Sequence, residues 1–304
     1  MAKAKRDIYQ EVTDSIIEKL ESGVAPWTKS WTGNGFVLPR RSTGQHYRGI
    51  NVLLLLSTGQ TGEHWFTYNQ AAELCGMKKT QRASGFKWIW EDDKGVREGE
   101  KGTQVIFFKQ LKIEDKATGE DKKIPLLRSY KVFNQSQIDG LPAKFDAPEI
   151  EAINADERQP AIEAYIAATE AKITHGGDRA FYAPGEDRIQ LPEWDAFSDG
   201  IAYYGTALHE LAHWTGHKTR LDRLAQRDTT SYAKEELVAE LSAAFLGASL
   251  GIETEIREDH VSYLQGWLSI LKADKKAIFT ASTAAQKAVD YLDRRQPQNL
   301  EEAA

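Results

Sequence analysis

The residues with the clearest chemical meaning lie in the run His209-Glu210-Leu211-Ala212-His213. Helical residues four positions apart differ by roughly 40° in azimuth and about 6 Å in height, so the two imidazoles leave one face of a helix and converge on one point. Such a pair binds divalent cations, and Glu210 can take a proton from a metal-bound water whose pKa falls toward about 7. The pattern predicts a hydrolytic metal centre.

A catalytic zinc site normally has three protein ligands, so the third must come from elsewhere in the chain. Glu236 and Glu240 share one face of a strongly helical stretch, beside apolar residues such as Leu237 and Leu241. We predict that Glu236 binds the metal and that Glu240 accepts a hydrogen bond from the other ring N–H of a ligand histidine. On sequence alone these two roles are interchangeable. The predicted cofactor is Zn²⁺, with Mn²⁺ or another divalent ion as the alternative.

His217 continues the four-residue spacing of the histidines, but Gly216 is expected to end the helix before it. We therefore expect His217 to cap the helix or to support the ligands from behind. Arg220 and Arg223 follow closely and could hydrogen-bond the site, although cations are favoured at the end of any helix.

Length and charge predict two different halves. At about 100 to 200 residues per domain, 304 residues favour two domains. Residues 1–150 hold 23 Lys and Arg against 19 Asp and Glu, and the rest hold 16 against 26, so the halves carry +4 and −10.

The single cysteine, Cys75, excludes an internal disulfide, and no apolar run is long enough to span a bilayer. We expect a cytoplasmic protein with no membrane partner.

The predicted fold class is α+β, with an N-terminal α+β domain, a linker and a mostly helical C-terminal domain that contains a small β-sheet. A cluster of prolines and acidic residues marks the linker, which gives domains at 1–140 and 159–304 with the linker at 141–158. In the first domain, periodicity and turn residues predict two helices and two strands, at 7–21, 51–57, 104–113 and 124–134.

In the second domain, the same signals predict a helix over 161–173, a β-hairpin over 179–191 and a helical series from about residue 200. Residues 188–192 fit an edge strand that could pair with an extended peptide, or an ordinary sheet edge.

Aromatic and basic residues are interleaved in the first half, as in surfaces that stack and hold single-stranded nucleic acid. For any one aromatic, burial in the core is the better explanation. The residues predicted to bind DNA are Trp27, Trp31, Arg40, Arg41, Tyr47, Arg48, Lys78, Lys79 and Lys87.

Several motifs together resemble the ArdC-type antirestriction proteins across nearly the whole chain. They are Gly23-Val-Ala-Pro-Trp27, Tyr47-Arg-Gly-Ile-Asn51, Gly99-Glu-Lys-Gly102, Val132-Phe-Asn134, His209-Glu-Leu-Ala-His-Trp-Thr-Gly-His217 and Glu235-Glu-Leu-Val-Ala-Glu240. The resemblance implies an N-terminal domain that binds single-stranded DNA and a C-terminal zincin-like metallopeptidase domain. It implies ligand roles for His209, His213 and Glu236, with Glu210 as catalytic base. Glu240 stands where the glutamate-type zincins have an aspartate.

The resemblance also implies protection of incoming, often plasmid-borne, DNA against host restriction, with a host restriction-system protein as a candidate target. Two alternatives remain open at this point. One is a protein that only coats single-stranded DNA and holds a structural metal. The other is a metalloprotease that cleaves a repressor or removes crosslinks.

Overall fold

The computed structural model describes residues 6–23, 25–27, 37–82, 85–89, 94–114, 121–146, 154–225, 228–252 and 260–297. The chain forms two compact units. The first unit comprises Met1–Val12, Pro39–Tyr47 and Gln60–Pro148. The second comprises Thr13–Leu38, Arg48–Gly59 and Glu149–Ala304. The chain thus passes between the units several times.

The first unit is built around a four-stranded sheet of order β1-β2-β7-β6. Its strands are β1 (Arg40–Arg41), β2 (His64–Phe66), β6 (Thr103–Glu114) and β7 (Asp121–Asn134). β6 and β7 form one long antiparallel hairpin, from Thr103↔Val132 to Glu114↔Asp121. The predicted strands at 104–113 and 124–134 are confirmed, each slightly longer than expected.

Smaller elements complete the first unit. They are α3 (Tyr68–Leu74), the hairpin β3 (Lys78–Arg82) with β4 (Gly85–Ile89), and the pair β5 (Gly95–Val96) with β8 (Ile138–Asp139). A capping box between Thr67 and Gln70 starts α3, because each side chain bonds the other residue's backbone N–H. Phe66, Ala71 and Ile138 belong to the buried cluster that holds these elements together.

The second unit is mostly helical, as predicted. Its helices are the later part of α1 (Ile8–Glu21), α2 (Ile50–Leu56), α4 (Pro160–Ala168), α5 (Gly200–Thr215), α6 (Thr229–Leu250), α7 (His260–Ala273) and α8 (Ala277–Asp293). α6 packs against α5, α7 and α8, and its residues from Glu235 to Ala248 are all buried. A helix that is buried on every side is the central element of its core. α6 ends at Gly251, whose φ of 73° is the left-handed conformation that glycine adopts at helix ends.

A three-stranded sheet of order β10-β11-β9 precedes α5. β10 (Phe181–Ala183) and β11 (Arg188–Leu191) form the predicted hairpin, whereas β9 (Lys172–His175) replaces the end of the helix predicted over 161–173. β9 pairs in parallel with β11, so β11 is the central strand. The expectation that residues 188–192 form an edge strand was therefore wrong, and β9 and β10 are the edges of this sheet.

Candidate metal centre

Two buried helices of the second unit position the metal-binding side chains. α5 begins where the Asp199 carboxylate accepts a hydrogen bond from the backbone N–H of Ala202 at 2.8 Å, and it carries His209, Glu210 and His213. α6 begins in the same way, since Asp228 accepts from the N–H of Ser231 at 3.0 Å. Side-chain acceptors at this position satisfy amide groups that have no partner within the helix.

The side chains of His209, His213 and Glu236 meet at one point between α5 and α6. One ligand atom from each lies within 4.8 Å of the others. The two Nε2 atoms are 3.1 Å apart, and each lies 3.4 Å from one oxygen of Glu236. Donors about 2.0 to 2.2 Å from a shared tetrahedral ion stand about 3.3 to 3.6 Å from one another, so these separations are close to those around a small divalent ion.

The opposite nitrogen of each imidazole faces a carboxylate. Nδ1 of His209 lies 3.4 Å from Oε2 of Glu240, and Nδ1 of His213 lies 3.4 Å from Oε1 of Glu235. A carboxylate only accepts hydrogen bonds, so these contacts favour the proton on Nδ1. With the proton on Nδ1, both Nε2 lone pairs face the space shared with Glu236, and a cation in that space would relieve their repulsion. The donor set therefore fits a divalent metal.

Glu235 was not predicted to have a role, and its position is fixed by Arg223. The Arg223 guanidinium donates to both oxygens of Glu235, at 3.0 and 2.8 Å, and also to the Thr215 hydroxyl and the Ala212 carbonyl. Planar two-point contacts of this kind restrain the carboxylate strongly. Arg223 thus holds in place the group that orients His213.

The charges of the centre are strongly coupled. Burial opposes the charged form of His213, but the carboxylates of Glu235 and Glu236 outweigh it and raise the pKa to about 10. For His209 burial is likewise opposed by Glu236 and Glu240, with the result that the pKa is raised. Burial also works against the charged forms of Glu235 and Glu236, but hydrogen bonds from the imidazoles lower both pKa values. The protein therefore stabilises positive charge between these side chains.

Glu210 and Tyr232 complete the surroundings of the three ligands. Glu210 is only 3% exposed, so its carboxylate lies inside the packed centre. Tyr232, one helical turn before Glu236, is 54% exposed and hydrogen-bonds both Glu236 and the hydroxyl of Tyr263, the latter at 3.2 Å. Tyr232 was not predicted to have a role, although its four-residue spacing from Glu236 was a usable signal.

His217 lies past the last helical residue, Thr215, and its Nδ1 contacts the Thr219 hydroxyl at 2.8 Å. The contacts described for its side chain are local to this turn, and the expected capping or ligand-supporting role of His217 stays a prediction. Arg220 is held by Asp187 and the Tyr182 hydroxyl, and its guanidinium lies 3.9 Å above the Trp214 ring. It braces the end of α5.

The residues predicted to bind DNA fall into different environments. Trp27 belongs to the second unit, is fully buried and packs edge-on against Trp267, so the expectation that it stacks on a base is corrected. Tyr47 is also buried, with the Arg41 guanidinium 5.3 Å from its ring centre.

The remaining basic residues of that set differ in exposure and pairing. Arg40 pairs with Glu63, and Arg48 pairs with Asp290 of the second unit. Lys78 is exposed on β3. Lys79 lies on β3 and Lys87 on β4, the two paired strands of one hairpin. Trp31 lies outside the described residues.

Comparison with known proteins defines the class. Residues 160–284 match the family of zincin-like metallopeptidases, and residues 6–133 match the N-terminal domain of the anti-restriction factor ArdC. The chain therefore combines an ArdC-type N-terminal region with a zincin-like domain that contains the whole His209, His213 and Glu236 cluster. Within the described residues, every helix is too short or too polar to cross a lipid bilayer.

Solved structures identify the family more closely. The metal-free crystal structure of the antirestriction protein ArdC from plasmid R388 is 41% identical, with a TM-score of 0.80 over 96% of this chain and 99% of that one. Its Mn(II)-bound structure is 40% identical, with a TM-score of 0.75 over the same shares. The chain belongs to the ArdC family of antirestriction proteins.

Curated relatives extend the comparison. The uncharacterized protein y4eC of Sinorhizobium fredii is 35% identical over 95% of this chain and 92% of its own length. Two DNA primases named TraC from Escherichia coli are 38% and 36% identical. The chain spans 27% and 20% of the lengths of these two primases.

Proposed function

We propose that this protein binds single-stranded DNA and carries a zinc-dependent peptidase site, and that it thereby protects incoming plasmid DNA from host restriction. The convergence of His209, His213 and Glu236, with Glu210 buried beside them, carries the peptidase part of the proposal. Family membership supports the antirestriction part. The proposed target of the peptidase is a protein of the host restriction system.

The residues that would hold the metal are His209 and His213, through Nε2, and Glu236, through its carboxylate. Zinc fits the two imidazoles and one carboxylate, and the Mn(II)-bound structure of ArdC from plasmid R388 makes manganese the alternative. Bound there, the ion would lower the pKa of a coordinated water and polarise a peptide carbonyl. Metal analysis of protein purified without added ions should give stoichiometric metal, and the His209→Ala, His213→Ala variant should give none.

Glu210 is the proposed general base. Its carboxylate follows the first ligand on α5 and is shielded from solvent, so it can accept a proton from the attacking water and pass it to the leaving amine. Tyr232 hydrogen-bonds the ligand Glu236 and helps to orient it.

The test of the enzymatic function is Glu210→Gln, which preserves size and hydrogen bonding but removes the base. We expect this variant to retain metal and to lose protection of restriction-sensitive DNA transferred into a restricting host. Glu186→Gln is the matched control, because Glu186 is exposed and its surface pair with Arg188 contributes little. Full protection by Glu210→Gln would favour a non-proteolytic protein that coats DNA and holds a structural metal.

A further inference from the structure

The outer part of the β6–β7 hairpin exposes aromatic side chains that no role described so far explains. Phe107 is 45% exposed, Phe108 is 56% exposed and Tyr130 is 39% exposed. Large exposed apolar groups on a soluble domain mark an interaction surface when they cluster. Nearer the start of the hairpin, Val105 and Ile106 are buried, so the aromatic exposure begins where the hairpin leaves the core.

Strand register divides these side chains between two faces. Val105 pairs with Tyr130, Phe107 with Arg128 and Lys109 with Leu126, so these six residues share one face of the hairpin. Phe107 and Tyr130 are diagonal neighbours, about 7 to 8 Å apart along the sheet. Phe108 pairs with Leu127 and lies on the opposite face.

The Phe107 face is cationic. Lys109 and Arg128 are exposed on it, and the two strands carry no Asp or Glu over residues 103–109 and 126–132. Tyr130 hydrogen-bonds the buried Tyr47, whose ring lies beneath the exposed guanidinium of Arg41. Lys109 and Arg128 thus share the face with the two rings, and Arg41 adds a positive charge beside the partner of Tyr130.

The opposite face has a different composition. Arg6 donates to Gln104 at 2.7 Å and to Ser129 at 3.4 Å, and both acceptors lie on the Phe108 face. Arg6 is itself paired with the carboxylate of Glu11, at 2.7 Å. The exposed Lys131 also lies on this face, but the Glu11 carboxylate stands beside Arg6 there, which makes the face less suited to a polyanion than the Phe107 face.

We infer that the face formed by Phe107, Tyr130, Arg128 and Lys109 is the surface on which single-stranded nucleic acid stacks, with its phosphates on the flanking cations. Aromatic rings stack on bases of any sequence, and the cations neutralise phosphates. The inference rests on the proposed single-strand binding and adds the surface that performs it. It moves the stacking role from Trp27 and Tyr47, which are buried, to residues that the interleaved pattern did not include.

The test is the fluorescence anisotropy of a labelled oligothymidine, titrated with the full-length protein and neighbouring variants. Phe107→Ala should weaken binding about 5- to 150-fold, which corresponds to the loss of about 1 to 3 kcal/mol of stacking on one ring. Phe107→Trp should retain the affinity. Arg128→Gln should reduce the magnitude of the slope of log affinity against log salt by about 0.7, which is the value for one phosphate contact on a single strand.

Phe108→Ala is the matched control, because it removes the same ring from the adjacent position on the other face. Its affinity should equal that of the wild type, and all variants should retain metal and the wild-type melting temperature. Equal losses in Phe107→Ala and Phe108→Ala, or no loss in Phe107→Ala, would overturn the assignment of the face while single-strand binding by the wild type stands. Absence of binding by the wild type, or equal affinity for duplex, would overturn the proposed single-strand function together with the inference.

Discussion

Replacement of Glu235 by glutamine tests whether the carboxylates behind the two histidines control the metal. Outer partners of ligand histidines typically contribute 10- to 100-fold to metal affinity. The Nδ1 to Oε1 contact of His213 is 3.4 Å, longer than the 2.7 to 3.2 Å of a strong hydrogen bond, so we expect the lower end of that range. Glu235→Gln should raise the Kd of the metal about tenfold, which corresponds to about 1.4 kcal/mol.

The same substitution should also affect the stability of the apoprotein, because Glu235 and Arg223 form a buried ion pair. Removal of one partner of such a pair typically costs about 3 to 5 kcal/mol. Glutamine still offers an oxygen to Arg223, and the guanidinium keeps its contacts with Thr215 and Ala212, so the loss should be smaller than that range. The two effects are measured separately, by competition with a chelator dye and by urea unfolding of the apoprotein.

Glu240→Gln is the variant that separates orientation of the ligand from general weakening of the fold. Glu240 faces Nδ1 of His209 at the same 3.4 Å. The Glu240→Gln substitution should therefore cause a similar loss of metal affinity. Unchanged metal affinity in both variants would refute the orienting role. A loss confined to Glu235→Gln would assign that loss to the Arg223 ion pair.

Other positions give independent expectations. Trp27→Ala should lower the free energy of unfolding by about 3 to 5 kcal/mol in urea titrations, because the ring is fully buried against Trp267; an unchanged value would contradict that burial. Gly251→Ala should cost about 1 to 2 kcal/mol in the same assay, since φ is 73° and a methyl group would meet no neighbour; a neutral effect would argue against the left-handed conformation. Hydrogen bonds from Arg220 lower the pKa of Asp187 to about 2, so the charge of Asp187 stabilises the fold above its unfolded pKa of about 4, and the contribution disappears as pH falls toward 2. The melting temperature of the wild type should therefore exceed that of Asp187→Asn at neutral pH and approach it in acid, and a constant difference would contradict this assignment.

The cluster of His209, His213 and Glu236 could be predicted from sequence because most of its geometry is local. The four-residue spacing of His209 and His213 fixes their common face once the segment is helical, and hydrogen bonds within the helix are enough to fix that spacing. The prediction of Glu236 as the third ligand also required the assumption that its helix packs against the helix of His209 and His213. Glu235 was missed because its role depends on the register of α6 against α5 and on Arg223, which lies beyond the end of α5.

For the aromatic residues, the sequence alone could not distinguish buried rings from exposed ones. Their density in the first half suggested a stacking surface, but composition does not determine which rings are covered by other parts of the chain. Trp27 is buried by Trp267, which is 240 positions away in the sequence, whereas Phe107 is left exposed by the exit of its hairpin from the core. Likewise, the end of the helix predicted over 161–173 forms β9, because a parallel pairing with β11 prevailed over local helical propensity.

The composition of the metal centre indicates that the ion contributes to the electrostatics of the fold as well as to chemistry. Glu210, Glu235, Glu236 and Glu240 are all at most 9% exposed, and among the described side chains of the centre Arg223 supplies the permanent positive charge. Buried carboxylates are costly unless they are paired. In the apoprotein, the imidazoles can offset this charge by taking up protons, as the raised pKa of His213 shows. A divalent cation would do so without placing protons on Nε2, and both Nδ1 hydrogens would remain directed at Glu235 and Glu240, so metal binding and the orientation of these histidines would stabilise each other.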